Sequence, residues 1–151
     1  MRIVIQKVSK ASVVVDDVVV GAIDRGFLLL VGIEVSDTLL DINKAADKIA
    51  ALRIIEDEEG AMNCALDPSV DAILSISQFT LAADIRKGNR PSFTQAMRPE
   101  EANGLYEAFN DALRSKGLNV ETGVFQAQMD VSLVNDGPIT IVMDISDGKV
   151  L

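Results

Sequence analysis

Histidine is the most informative absence, because the chain of 151 residues contains none. Without histidine, neither a Ser-His-Asp nor a Cys-His arrangement can activate a nucleophile, and zinc cannot be bound through imidazole. Cys64 is the single cysteine, which excludes an intrachain disulfide and a cysteine cluster for a metal. We therefore expect no metal and no cofactor. Any catalysis must depend on carboxylates, hydroxyls, backbone amides or the substrate itself.

Long apolar runs are also absent. No stretch approaches the roughly 20 apolar residues that span a membrane, and the start MRIVIQKVSK lacks the pattern of a signal peptide. The expected location is therefore the cytoplasm. With 48% hydrophobic residues, the chain can bury a substantial core. Its length favours one domain that covers residues 1–151.

Basic residues are fewer than acidic ones, 14 against 23, so the net charge is −9. This balance argues against broad, salt-dependent binding along a nucleic-acid duplex. The segment IRKGNR nevertheless places Arg86, Lys87 and Arg90 within five residues. Such a cluster is either solvated surface or a local contact for a phosphate chain, and the charge pattern leaves both possibilities open.

The strand pattern is clear in the first third of the chain. A strand begins at Ile3, and SVVVDDVVVGAI predicts a hairpin that turns at Asp16-Asp17. The continuous apolar run FLLLVGIE, residues 27–34, is typical of a strand covered on both faces. AILSISQF, residues 72–79, predicts a further strand that becomes polar at its end.

Two helices are predicted between and after these strands. The first follows the possible N-caps Ser36, Asp37 and Thr38, and its apolar residues recur at helical spacing. The second begins at Pro99 and stops before Gly117. The fold class is therefore α+β, with a largely antiparallel or mixed sheet, or a barrel-like core, covered by two main helices.

Two polar segments stand apart from this apolar framework. Ser77–Thr80, with the sequence SQFT, lies at the end of a predicted strand, where a rigid element can aim functional groups. VNDGPIT places Gly137-Pro138 between two strand-like halves, although proline cannot donate to a β ladder. Each segment also has a plain explanation: the first as a strand that reaches solvent, the second as a loop.

Together, the two segments resemble the D-aminoacyl-tRNA deacylases. The resemblance rests on SQFTLAAD, RPSF and VSLVNDGPIT in this order, and it extends to VIQKVSKASVVVD, DEEGAMN and LYEAFNDALR, so it covers nearly the whole chain. One position departs from the family, whose start reads IQRV: here Lys7 replaces the arginine. Lysine supplies the charge but not the planar, multidentate fork of arginine.

The resemblance implies a homodimer that hydrolyses the ester joining a D-amino acid, or glycine, to the 3′-terminal adenosine of tRNA. It implies a cis Gly137-Pro138 peptide that reaches from one subunit into the partner's pocket and rejects L-amino acids, which is chiral proofreading in translation. It also implies a pocket in which Ser77, Gln78 and Thr80 are the catalytic candidates and Phe79 binds substrate.

The expected chemistry needs no strong side-chain base, because an aminoacyl ester is already activated. We expect water to attack with assistance from the ribose 2′-hydroxyl, while backbone N–H groups at Phe79-Thr80 stabilise the oxyanion and Thr80 orients groups. A nucleophilic Thr80 is the alternative, but no base adjoins it in sequence. Arg86, Lys87 and Arg90 are the expected phosphate contacts.

Two other classes of function remain possible on the residues alone. A hydrolase of small metabolites on a similar fold would have no use for the basic cluster after Thr80. In a non-catalytic binding or scaffold protein, changes in SQFT and Gly137-Pro138 would affect only stability and assembly.

Overall fold

The computed structural model describes residues 1–151. Its elements, in chain order, are β1 (Arg2–Val15), β2 (Val18–Ile23), β3 (Gly26–Gly32), α1 (Leu39–Ala50), β4 (Ile55–Glu56), β5 (Met62–Cys64), β6 (Ala72–Ser77), a 3₁₀ turn (Phe79–Ala82), α2 (Pro99–Ser115), β7 (Asn119–Thr122), β8 (Asp130–Ser146) and β9 (Lys149–Val150). The small hairpin β4–β5 was not predicted from the sequence.

The main sheet is mixed and curled. Its strand order is β7-β6-β3-β1-β8-β9, and β2 pairs with the second half of β1. The β3–β6 and β6–β7 pairs are parallel, whereas the other pairs are antiparallel. Strand β2 curls toward β7, so that a Cβ on Gly21 would lie 2.8 Å from the Thr122 carbonyl oxygen. The predicted α+β class with a mixed sheet is confirmed.

The two helices bury their apolar faces against one side of this sheet. The main core combines side chains of α1, such as Ile42 and Ile49, with Phe109 of α2 and with Ile5 and Phe27 of the sheet. Burial of such side chains contributes roughly 1.5–3 kcal/mol each before the entropy of ordering is subtracted. The helices thereby fix the sheet whose strand ends carry the polar segments.

Local signals explain where the hairpin and the helices begin. Asp16 and Asp17 both have positive φ, 49° and 63°, as a two-residue turn with the right-handed twist of a hairpin requires. Thr38 is the N-cap of α1 and forms a capping box with Asp41. Pro99 opens α2, and Gly117 follows it at φ 84°. These sequence predictions are confirmed.

Strand β8 joins the two strand-like halves on either side of Gly137-Pro138, and no loop separates them. It runs continuously from Asp130 to Ser146, but its pairing with β1 shifts: Gln6 pairs with Thr140 and Val8 pairs with Asn135. Four residues, 136–139, therefore lie opposite Lys7 alone. This is a special bulge with four residues opposite one, a device that redirects a strand without ending it. The Gly137-Pro138 peptide within it is cis.

Candidate active site

A cavity of about 720 Å³ opens at the carboxyl end of β6. Ser77, Gln78 and Phe79 line it, and 12 of its 18 lining residues are hydrophobic. Arg98 is the single ionisable side chain among them. An apolar cavity with a few convergent polar groups is typical of a small-ligand site. The first three residues of the SQFT segment therefore form part of a cavity wall.

An aromatic pair shapes one side of this cavity. The rings of Phe79 and Phe93 meet edge to face, with centroids 5.2 Å apart and an angle of 68° between the planes. Both side chains line the cavity and remain substantially exposed. An edge-to-face pair is favourable for aromatic rings and leaves the outer face of one ring open to a ligand.

Thr80 has a different position from its three neighbours. It is exposed and does not line the cavity, because the 3₁₀ turn that begins at Phe79 directs it away from the end of β6. Its Oγ1 accepts a hydrogen bond from the Gln78 Nε2. No carboxylate or other base accepts the proton of the Thr80 hydroxyl in this structure, so nothing activates it as a nucleophile.

The backbone at this turn offers two hydrogen-bond donors. Leu81 N–H donates to the Gln78 carbonyl and Ala83 N–H to the Thr80 carbonyl, which closes the turn. The N–H groups of Phe79 and Thr80 precede these bonds and have no acceptor within the chain, as expected at the start of a helical turn. Free N–H groups beside a cavity can stabilise a developing oxyanion.

The Gly137-Pro138 bulge is anchored by Lys7. The Lys7 side chain is buried, and its Nζ contacts the Glu56 carboxylate and lies 3.0 Å from the Asp136 Oδ2. Asn135 Nδ2 donates to the Lys7 and Ile139 carbonyl oxygens, each at 2.9 Å. Lys7 therefore holds the start of the bulge through its side chain and backbone, Asn135 ties that start to Ile139 at the other end, and the hairpin β4–β5 contributes Glu56 to the anchor.

The electrostatics of this anchor follow from its geometry. Burial opposes the charge on Lys7, but hydrogen bonds to the Glu56 and Asp136 carboxylates outweigh it and raise the pKa of Lys7 above its ordinary value. The hydrogen bond from Lys7 lowers the pKa of Glu56. Lysine thus supplies a point charge to two acids, whereas an arginine at this position would offer a planar fork.

These shifts predict how the anchor depends on pH. A raised lysine pKa contributes stability fully below about pH 10.4, and this contribution is lost as the pH rises through the folded-state value. The lowered pKa of Glu56 contributes above about pH 4.3 and is lost as the pH falls. We therefore expect the Tm difference between the parent and Lys7→Met to be constant from about pH 5 to 10 and smaller at both extremes. Thermal unfolding across this range measures it, and a change near pH 7 would contradict the prediction.

Gly137 and Pro138 are both exposed and do not line the cavity of their own chain. The structure of one chain therefore brings together Ser77, Gln78 and Phe79, but it leaves the Gly-Pro bulge on the surface.

The basic cluster lies on a loop beside the cavity. Asp84 and Ser92 close this loop through two backbone hydrogen bonds of 2.8 and 2.9 Å, and Phe93 of the cavity wall follows directly. Arg86 forms a bidentate ion pair with Asp84, at 2.9 and 2.6 Å. Its hydrogen bonds hold the pKa of Asp84 far below the ordinary range. Lys87 and Arg90 are exposed and form no ion pair.

Sequence reasoning missed several residues of the site. The segment 125–129, together with Met97 and Arg98, supplies much of the remaining cavity wall. Gln126 within this segment has a positive φ of 64°, which is uncommon for a non-glycine residue and gives the turn its shape. Nothing in the local sequence marks these residues as functional, because their proximity to SQFT is created by the sheet. Glu56 is missed for the same reason.

A second cavity, of about 590 Å³, lies at the opposite end of β6, beside Ala72. Its one buried charge is already paired, since Arg25 Nε lies 2.5 Å from the buried Asp71 Oδ1. No group of three or more acidic, cysteine or histidine side chains is arranged to hold a metal ion. No helix has the length and apolar character needed to cross a membrane. The cavity at SQFT therefore remains the candidate active site.

Fold and site define an α+β protein with one nearly uncharged ligand cavity at a strand end. The family model described as D-Tyr-tRNA(Tyr) deacylase matches residues 4–144. A D-aminoacyl-tRNA deacylase of Exiguobacterium sibiricum is 57% identical over 144 residues, which cover 95% of this chain and 99% of the relative. Another from Thermus aquaticus is 56% identical over 147 residues, covering 97% of both chains. The chain therefore belongs to the D-aminoacyl-tRNA deacylase family.

Solved structures share this fold. A structure described as c-Myc DNA unwinding element binding protein has a TM-score of 0.89 and 39% identity, covering 97% of this chain and 99% of that one. A probable eukaryotic D-amino acid tRNA deacylase has a TM-score of 0.81 over 95% of this chain and 98% of its own. At 18% identity, the second likeness supports the fold alone. The family recognised from SQFT and NDGP is confirmed.

Proposed function

We propose that this chain hydrolyses the ester bond of D-aminoacyl-tRNA, and of glycyl-tRNA, and releases the amino acid and the tRNA. The observation that carries the proposal is the SQFT segment on an apolar cavity in a member of this family. Residues 1–151 would act as one deacylase domain. The cytoplasm, where aminoacyl-tRNA serves translation, is the proposed location. Ester loss from matched D- and L-aminoacyl-tRNA, with purified protein, tests the activity.

The proposed gate is the Gly137-Pro138 segment of a partner subunit. Three observations support this assignment. Gly137 and Pro138 are exposed, and they do not line the cavity of their own chain. The buried Lys7 side chain holds the adjacent Asp136 in place. Inserted into the partner's cavity, the carbonyls of Gly137 and Pro138 would accept hydrogen bonds from the substrate ammonium group. The backbone would occupy the space that an L side chain needs. A gate made of backbone cannot be opened by rotation of a side chain.

The proposed chemistry follows from the free donors at the turn. The ester carbonyl would lie against the N–H groups of Phe79 and Thr80, which polarise it and stabilise the tetrahedral oxyanion. Water would attack the acyl carbon, the bond from this carbon to the ribose 3′-oxygen would break, and the vicinal 2′-hydroxyl would relay the proton of the water to the departing 3′-oxygen. Ser77 and Gln78 would position the ester, and Phe79 would contact the substrate. The Thr80 hydroxyl accepts a hydrogen bond from Gln78 Nε2 and would orient the Gln78 side chain.

Thr80→Val tests the role of this hydroxyl, because valine keeps the branched shape and removes the oxygen. If Thr80 only orients Gln78, kcat falls by about tenfold or less, as for the loss of one neutral hydrogen bond. Single-turnover hydrolysis of D-aminoacyl-tRNA measures this effect. Complete loss of turnover, together with an acyl-enzyme trapped on Thr80 of the parent protein, would instead identify Thr80 as the nucleophile.

A gate supplied by a partner requires a dimer. We expect a stable homodimer at micromolar concentration with two-fold symmetry, the commonest arrangement for soluble oligomers. Sedimentation velocity at several concentrations measures the assembly state, and the same samples can be assayed for ester hydrolysis. A fully active monomer would contradict the cross-subunit gate.

A further inference from the structure

Resting on the proposed function, we infer that Arg98, Arg90 and Lys87 form a path for the phosphates of the tRNA 3′ strand as it leaves the cavity. Arg86, although it lies between them in sequence, is excluded from this path. Arg98 lies unpaired on the cavity lip, and two further unpaired cations lie on the adjoining loop.

Arg98 is the innermost of the three cations. It is the single ionisable residue on the cavity wall, and it is exposed at the point where α2 begins. Its side chain makes no capping hydrogen bond and pairs with neither Glu100 nor Glu101 in the first turn of the helix. Because Arg98 is unpaired and the rest of the cavity wall is uncharged, its guanidinium can bind an anion that enters with the ligand. In an aminoacylated RNA end, the nearest anion is the phosphate on the 5′ side of the terminal adenosine.

Lys87 and Arg90 extend this positive surface outward. Their loop is closed by the backbone pairing of Asp84 with Ser92, and Ser92 leads directly to Phe93 on the cavity wall. The loop therefore projects beside the same opening that Arg98 borders. Neither cation has an acidic partner, so each can contact a phosphate without breaking an existing ion pair.

Arg86 has another role. Its Nε and Nη2 donate to the two carboxylate oxygens of Asp84, and its backbone N–H also donates to Asp84 Oδ1 at 3.0 Å. A bidentate pair of this kind satisfies the fork that would otherwise bind phosphate. Arg86 therefore shapes the loop, while its charge is cancelled locally.

The net charge of the chain explains why such a path is needed. At −9, the protein as a whole repels a polyanion. Binding then depends on a few unpaired cations placed where the strand runs, rather than on a general basic surface. Single-stranded nucleic acid is commonly held this way, with cations along the backbone and aromatic rings, here Phe79 and Phe93, beside the bases.

The test compares two substrates that carry the same D-amino acid: full-length tRNA and free adenosine, which has no phosphate. We expect Arg98→Gln, Arg90→Gln and Lys87→Gln each to lower the ratio of kcat/KM on tRNA to kcat/KM on the adenosine ester, by about tenfold at low salt. Each change should also reduce the slope of log(kcat/KM) against log[salt] by about 0.7. Arg86→Gln should leave this slope at the parent value. Lys44→Gln, on the exposed face of α1, is the matched control for a lost surface charge.

The outcomes separate this inference from the function on which it rests. If the parent hydrolyses neither D-ester, the proposed function itself fails. If the parent hydrolyses both, but the three variants keep the parent ratio and slope, the phosphate path is wrong. An equal loss of slope in Arg86→Gln or Lys44→Gln would show that only total charge matters, which would also overturn the assignment.

Discussion

Gly137→Ala is expected to reduce hydrolysis of D-aminoacyl-tRNA by on the order of 10²-fold. Gly137 has a φ of 126°, a backbone conformation that residues with a side chain rarely adopt. An added Cβ would also lie 2.8 Å from Ile139 Cγ1 and 3.0 Å from Ile139 N. The segment must shift to accommodate it, at a cost of about 1–3 kcal/mol. A shift of about 1 Å in a group that positions substrate is sufficient for this loss of rate. Single-turnover kinetics on D-aminoacyl-tRNA measures the effect.

Gly117→Ala provides the matched control. Gly117 also has a positive φ, 84°, but a Cβ there would meet no atom within 4 Å, and the residue only terminates α2. This variant should lose about 1 kcal/mol of stability and keep the parent rate. A folded, dimeric Gly137→Ala protein with the parent rate would show that the bulge does not form the gate.

Lys7→Met is expected to weaken both the fold and the gate. Methionine fills a similar volume but leaves the Glu56 and Asp136 carboxylates facing each other without a cation. Because these acids are 41% and 47% exposed, water can partly replace the lost contact, and the expected destabilisation is about 1–3 kcal/mol. The freed bulge should lower the rate on the D-ester by at least about tenfold. Chemical unfolding and deacylation kinetics measure the two effects.

Lys7→Arg separates charge from size. Arginine keeps the cation that both carboxylates contact, so this variant should retain most of the activity. Loss of stability in Lys7→Met without any loss of rate would limit Lys7 to a structural role. Loss of rate in Lys7→Arg equal to that in Lys7→Met would show that the lysine geometry, and not its charge, supports the bulge.

Local signals allowed part of the fold to be predicted. The turn at Asp16-Asp17, the cap at Thr38 and the start of α2 at Pro99 each depend on residues a few positions apart. The curl of the sheet and the parallel pairs around β6 depend on contacts between distant segments, so periodicity could indicate a mixed sheet but not its strand order.

The candidate site was predictable only in part for the same reason. The polar end of β6 marked Ser77 and Gln78, and the cavity contains both. The strand pattern did not reveal that a 3₁₀ turn follows Ser77 and directs Thr80 away from the cavity. Lys7 and Glu56 are 49 residues apart in sequence, and Lys7 and Asn135 are 128 apart. Only the folded sheet brings these residues to one bulge.

The proposed backbone gate selects among esters by excluding an L side chain, and not by recognising a D side chain. The most direct measurement compares three esters on one tRNA, D-alanyl, L-alanyl and glycyl, by single-turnover hydrolysis with the parent protein. The gate predicts rapid release of D-alanine and glycine and retention of L-alanine, because glycine has no side chain to exclude. Hydrolysis of the L-alanyl ester at the D-alanyl rate, or protection of the glycyl ester, would contradict it.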